Sequence, residues 1–144
     1  MPRRTYLAVL ASVLAHQMLG FLWYGVLPWA GPRVQALGKP LSELQMVDPL
    51  ALAIDVAGWV LASYTIAWLV RRFDIVDAAS GAALGVALGI GIGLPALVPH
   101  YVFAGIAPLV TIVDAANLLV ALGLSGAIVA ALAPAPSYRS AARG

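Results

Sequence analysis

The sequence predicts an all-α integral membrane protein, a four-helix bundle, and three observations carry that prediction. Hydrophobic residues make up 62% of the chain and charged residues 10%, with a mean hydropathy of +0.96; a soluble domain carries roughly 45–50% apolar and 25% charged residues. Four separate apolar stretches each reach the roughly 20 residues a helix needs to cross a bilayer. All charged side chains except Asp55 and Asp114 lie outside those stretches. Four spans with their connections consume almost all of the 144 residues, leaving no room for a separate soluble catalytic domain.

The first span covers residues 5–27 and is interrupted only by His16 and Gln17. It follows Arg3 and Arg4, a pattern shared by secretory leaders, with Val13 and Ala15 as small residues before a cut; it is read as a retained span. From Pro28 to Asp48 the breakers Pro28, Gly31, Pro32, Gly38 and Pro40 forbid one long helix, so short interfacial turns are expected. The second span, residues 50–70, opens after Pro49 and stops at Arg71 and Arg72, and RRFDIVD is a tight charged turn. The third, residues 78–98, is weakened near its end by Pro95 and Pro99. A short aromatic connection from His100 to Pro108 leads to the fourth, residues 109–132. The transmembrane domain is thus residues 1–132, and residues 133–144, with two prolines, Arg139 and Arg143, are expected to form a mobile cytoplasmic tail.

Basic residues set the orientation, because Lys and Arg concentrate in cytoplasmic connections. Arg3, Arg4, Arg71, Arg72, Arg139 and Arg143 fall on one side and only Arg33 and Lys39 on the other. Both termini are therefore expected on the cytoplasmic side, with the chain multi-pass in the membrane. Trp23, Tyr24 and Trp29 then reach the outer interface and Trp68 the inner one, as an aromatic belt requires. The net charge of +2 reads as topology and not as nucleic-acid binding. With no cysteine, disulfides, thiolate chemistry and iron–sulfur sites are excluded.

Asp55 and Asp114 each follow a proline by six residues, in PLALAID and PLVTIVD. Shifting the chain by 59 residues superposes these segments with Pro, Leu, Asp and two Ala coincident, the signature of a parallel repeat. Ionisable groups at membrane depth are costly and so mark packing or function. At 1.5 Å per residue both lie about 8–9 Å inside their helix ends. As structural groups they bond a neighbouring helix or exploit the helix N-terminus. As functional groups they bind a proton, cation or polar solute from outside, with Asn117 three residues on from Asp114 sharing its face. His16 and Gln17, near mid-span, must face other helices, and His100 falls at the boundary beside Tyr101. A zinc site wants three or four N, O or S ligands, and half a bilayer separates the two histidines, so no shared metal site and no cofactor are expected.

Gly81, Gly85, Gly89 and Gly93 recur every four residues on the third span, a stripe that lets another backbone approach closely. Spacing leaves open whether that backbone belongs to the same chain or another, and the expectation is that this face joins a second copy or a larger membrane complex. No Ser–His–Asp set, phosphate loop or H-E-x-x-H helix is present, and the glycines inside a span are no dinucleotide fingerprint. The chain is therefore expected not to be an enzyme. A structural or accessory, oligomer-forming subunit ranks first, a small transporter or channel-like protein using Asp55, Asp114 and Asn117 second, and a membrane enzyme third.

The stretches GFLWYGVLPWAGPRVQALG and HYVFAGIAPLVTIVDAANLLVALGLSGAI resemble the bacterial membrane family known as domain of unknown function 1761. The resemblance rests on Leu22, Trp23, Tyr24 and Gly25 closing the first helix and on Tyr101, Phe103 and Gly105 opening the last hairpin. It covers nearly the whole chain and implies four spans in a bacterial membrane, with no activity attached. The sequence departs from the family in PWAGPRV, which carries two extra breakers after LWYG.

Overall fold

A computed structural model describes residues 3–38 and 48–133, which form five helices: α1 (Arg3–Gly25), α2 (Ala30–Ala36), α3 (Pro49–Arg72), α4 (Ala78–Phe103) and α5 (Pro108–Leu132). No strand occurs among the described residues. The four long helices are each long and apolar enough to cross a membrane, so the chain is an all-α, multi-pass membrane protein. The proposed tail lies outside the described residues beyond Ala133.

Local chemistry sets the helix ends. Asp48 caps α3 by accepting from Leu50 N at 2.9 Å, with Pro49 in the first turn, where its missing N–H is no loss. Asp77 caps α4 by accepting from Ser80 N at 2.8 Å. Between them Asp74 takes φ 52°, a left-handed conformation that Asp tolerates better than most residues. At the end of α4, Gly105 has φ 69° and Ile106 N bonds back to Tyr101 O at 3.0 Å, a glycine-terminated helix end. The α2 segment is helical in spite of Gly31 and Pro32, because Pro32 falls in its first turn.

The third long helix does not stop at Val98. A π-turn at Gly89–Gly93 makes Leu94 N bond to Gly89 O, five residues back. That register shift precedes Pro95, which then lies in the first turn of the following segment, and the helix continues through Pro99 to Phe103.

The glycine stripe packs inside the chain, which corrects the expectation that it meets a second copy. A Cβ at Gly85 would collide with the Leu122 carbonyl, and one at Gly81 with Gly126 and Ala130. Gly89 and Gly93 lie under Leu119 and Leu118 in the same way. The complementary small residues Gly123 and Gly126 belong to α5, so α4 and α5 form the closest pair in the bundle.

The bundle is packed unevenly along its length. Its apolar core joins Ala8, Val9 and Val13 of α1, Ile66, Ala67 and Val70 of α3, and Val129 and Ala130 of α5, all towards the end holding the α3–α4 turn. Every buried residue of α3 lies at or beyond Ser63, whereas Leu50, Leu52 and Ile54 are exposed. Above the core Ser12, Ser63 and Ser125 meet: Ser12 Oγ is 2.9 Å from Ser63 Oγ and 2.6 Å from Ser125 Oγ. Each hydroxyl thereby finds partners on two other helices, as buried polar groups in a bilayer require. Beyond this serine knot the helices part, and the space between them is polar.

Candidate functional site

A cleft of about 290 Å³ occupies the other half of the bundle, and all five helices contribute to it. Residues Asp55 and Trp59 line it from α3, and Asp114 and Asn117 from α5. Its remaining polar walls are His16 and Tyr24 of α1, Arg33 of α2 and Tyr101 of α4. The structure therefore brings both aspartates together with Asn117 and His16. Gln17 bonds Asp55 without being part of the lining. His100 lines a separate cavity of about 170 Å³ that shares Arg33, Tyr101 and Asp114 with the first. The two histidines thus face different spaces. Among the described residues no group of three or more His, Cys, Asp or Glu could hold a metal.

The two aspartates occupy matching positions in their helices and have opposite environments. Asp114 is buried, and both carboxylate oxygens are engaged. Arg33 donates from Nε to Oδ1 at 2.8 Å and from a terminal nitrogen to Oδ2 at 3.0 Å, the two-pronged geometry that suits a guanidinium. Tyr101 OH adds a third bond to Oδ2 at 3.1 Å. The Arg33 guanidinium also stacks 4.4 Å from the centre of the Tyr24 ring, a cation–π contact. Burial works to lower the pKa of Arg33, but hydrogen bonds and charge from Asp114 outweigh it and hold the guanidinium above its ordinary value. The arginine is delivered by α2, whose docking is reinforced where Trp23 Nε1 donates to Val113 O at 3.2 Å and Trp23 packs on Trp29 at 4.8 Å.

Asp55 keeps 46% of its side chain exposed. Its Oδ2 accepts from Gln17 Nε2 at 2.8 Å and lies 3.8 Å from His16 Nε2. His16 is in turn stacked on Trp59, ring centres 3.6 Å apart. No arginine or lysine meets Asp55 among the described residues. Two further polar atoms in this region have no protein partner: Asn117 Nδ2 and His16 Nδ1.

The sequence pointed to Asp55, Asp114, Asn117 and His16 through their cost at membrane depth. It missed Arg33, Tyr24, Tyr101 and Trp59 as site residues. Arg33 sits among loop breakers and reads as a topology signal, while the aromatic residues read as an interfacial belt. The available signal for Arg33 was that a lone arginine on the arginine-poor side has two intramembrane aspartates to serve.

Fold and site together define a small multi-pass membrane protein with a polar, carboxylate-bearing cleft in one half of its bundle. The chain belongs to the family described as protein of unknown function (DUF1761), whose model matches residues 7–130. Comparison with curated proteins and with solved structures gives no match.

Proposed function

We propose that this protein binds a small, positively charged solute in its intramembrane cleft as a step in moving that solute across a bacterial inner membrane. The observation that carries the proposal is the contrast between the two aspartates. Asp114 is paired with Arg33, whereas Asp55 faces the cleft and accepts a hydrogen bond from Gln17, with His16 Nε2 3.8 Å away. With Asp114 committed to Arg33, Asp55 is the carboxyl of the described lining that has no arginine or lysine partner. A half-exposed carboxyl facing the cleft favours a cationic occupant. A volume of 290 Å³ is at the small end of ligand pockets, which run from roughly 300 Å³ upward, so the solute has few heavy atoms.

An accessory subunit, which the sequence alone favours, needs no polar chamber such as the one all five helices line. The reading takes both termini as cytoplasmic, the orientation that the arginine distribution favours, and the cleft then faces the outer side. Since one copy supplies every wall, self-association is not needed to build the cleft and would use a face other than the glycine stripe.

Thermal unfolding in phosphatidylglycerol nanodiscs against a panel of inorganic and organic cations tests the reading. A ligand at 100 times its Kd stabilises the folded state by about 2.7 kcal/mol. At least one cation is expected to raise the Tm of the wild type and not of Asp55→Asn. A wild type indifferent to every cation would sink the proposal.

A further inference from the structure

The cleft also constrains which kind of cation it takes, an inference that rests on the reading of Asp55 above. Inorganic divalent cations held by protein groups demand several ligands: six to eight oxygens for Ca²⁺ and three or four protein ligands for zinc. The cleft offers one available carboxylate, because both oxygens of Asp114 are taken by Arg33 and Tyr101. No cluster of three acidic, histidine or cysteine ligands exists among the described residues. An alkylammonium has simpler needs. Its N–H groups require one carboxylate and a few acceptors, and its charge is further satisfied by an aromatic face. Asp55 supplies the first, with Gln17 occupying only Oδ2. Trp59 supplies the second from one helical turn further along α3, held in the wall by its stack on His16.

The far side of the cleft specifies the rest of the molecule. Asn117 is only 5% exposed, lines the cleft from α5, and has an Nδ2 with no protein acceptor. A buried amide donor without a partner is rare in a folded protein and marks a place where something else accepts. The group complementary to Asn117 is an oxygen. We infer that the solute is a small organic amine that also carries an oxygen acceptor, an amino alcohol or amino acid in class, with its ammonium at Asp55 and Trp59 and its oxygen at Asn117. The same two groups occur in the headgroup of phosphatidylethanolamine, so the chemistry has two sources.

Ethanolamine and propylamine form the discriminating pair, being nearly isosteric ammonium ions that differ in one hydroxyl. Isothermal titration calorimetry on the full chain in phosphatidylglycerol nanodiscs, a lipid without an ammonium, is expected to give saturable ethanolamine binding. Propylamine should bind about ten-fold more weakly or worse, the loss of one hydrogen bond in a buried site. Asn117→Ala should erase that difference, and Asp55→Asn should abolish binding of both, with circular dichroism and a monodisperse elution confirming that the variants fold. Because the ethanolamine–propylamine contrast is read on the wild type, it stands even where a variant fails to fold. Equal binding of the two amines overturns the inference about Asn117 while leaving the cation reading in place. Binding of Na⁺, K⁺ or Mg²⁺ through Asp55 with no amine binding overturns the amine class. No binding by any of these overturns both readings. Adding phosphatidylethanolamine to the disc then separates the sources: suppressed ethanolamine binding assigns the site to the headgroup, and unchanged binding assigns it to a free solute.

Discussion

At Asp114 both carboxylate oxygens are committed, and the side chain that commits them, Arg33, is itself four-fifths buried, so removing either partner strands the other charge in a low-dielectric setting. Asp114→Asn and Arg33→Gln are each expected to destabilise the bundle by about 2–4 kcal/mol, somewhat below the range for fully buried pairs because Arg33 keeps some exposure. The double variant should lose less than the sum, since it leaves no unpaired charge. Reversible unfolding in mixed micelles measures all three, and strict additivity would mean that the pair is not coupled. The raised pKa of Arg33 gives the sign of the pH dependence: the pair's contribution is complete below the ordinary arginine value and is lost only above it, so it holds across the physiological range. Asp55 behaves otherwise. With its side chain 46% exposed and no cation beside it, Asp55→Asn should change stability by less than about 0.5 kcal/mol, as substitutions at exposed positions do, while removing the binding described above. Nothing in PLALAID or PLVTIVD separates the two aspartates, because the partner that distinguishes them arrives from α2, more than 80 residues before Asp114.

The helices assemble through features that differ in how far sequence exposes them. Four-residue glycine spacing announces a close helix contact, but not whose helix fills it; that depends on Gly123 and Gly126 of α5 lying at matching height, which only the folded hairpin reveals. Gly85→Ala should force α4 and α5 apart, because the added Cβ meets backbone that cannot move alone, and the expected loss is 3 kcal/mol or more on the order of severe overpacking. Gly58→Ala in α3 is the control: nothing lies within 4 Å of its Cβ position, and the change should be neutral or stabilise by up to about 1 kcal/mol through helix propensity. Equal effects in an unfolding titration would contradict the packing described. The start of α4 responds to pH. Hydrogen bonds from the backbone and side chain of Ser80 hold the Asp77 carboxyl below its ordinary value. Its contribution is thus present above the unfolded carboxylate range and is lost as pH falls through the lower folded value. Asp77→Ala should lower the Tm at neutral pH, and the gap from wild type should close in strong acid. The serine knot was not legible at all, since Ser12, Ser63 and Ser125 are isolated residues in three different apolar runs and only the packing of α1, α3 and α5 joins them.

The molecule as a whole is polarised along the membrane normal, with a dry, interlocked half around Val9, Ile66, Val70 and Val129 and a polar half around the cleft. The four spans were legible because a run of about 20 apolar residues has few alternatives to crossing a bilayer. The cleft was not, because periodicity says which residues avoid lipid but not where neighbouring helices part. The buried side chains below the serine knot are apolar apart from Thr5, so under the proposed function this half of the bundle would be the barrier to a cation and the cleft half its point of entry. The chain contains no cysteine, so single cysteines introduced into it report accessibility without background. Val76→Cys lies in the α3–α4 turn, Ala104→Cys in the α4–α5 connection and Asp55→Cys in the cleft. With both termini cytoplasmic, a membrane-impermeant thiol reagent applied to intact cells should label the Ala104 and Asp55 variants, and should reach the Val76 variant only after the membrane is broken. The reverse pattern would invert the orientation and turn the cleft to the cytoplasm. Labelling of Asp55→Cys from the side opposite to Ala104→Cys would instead mean that the cleft opens through the core half, contrary to the packing that seals it.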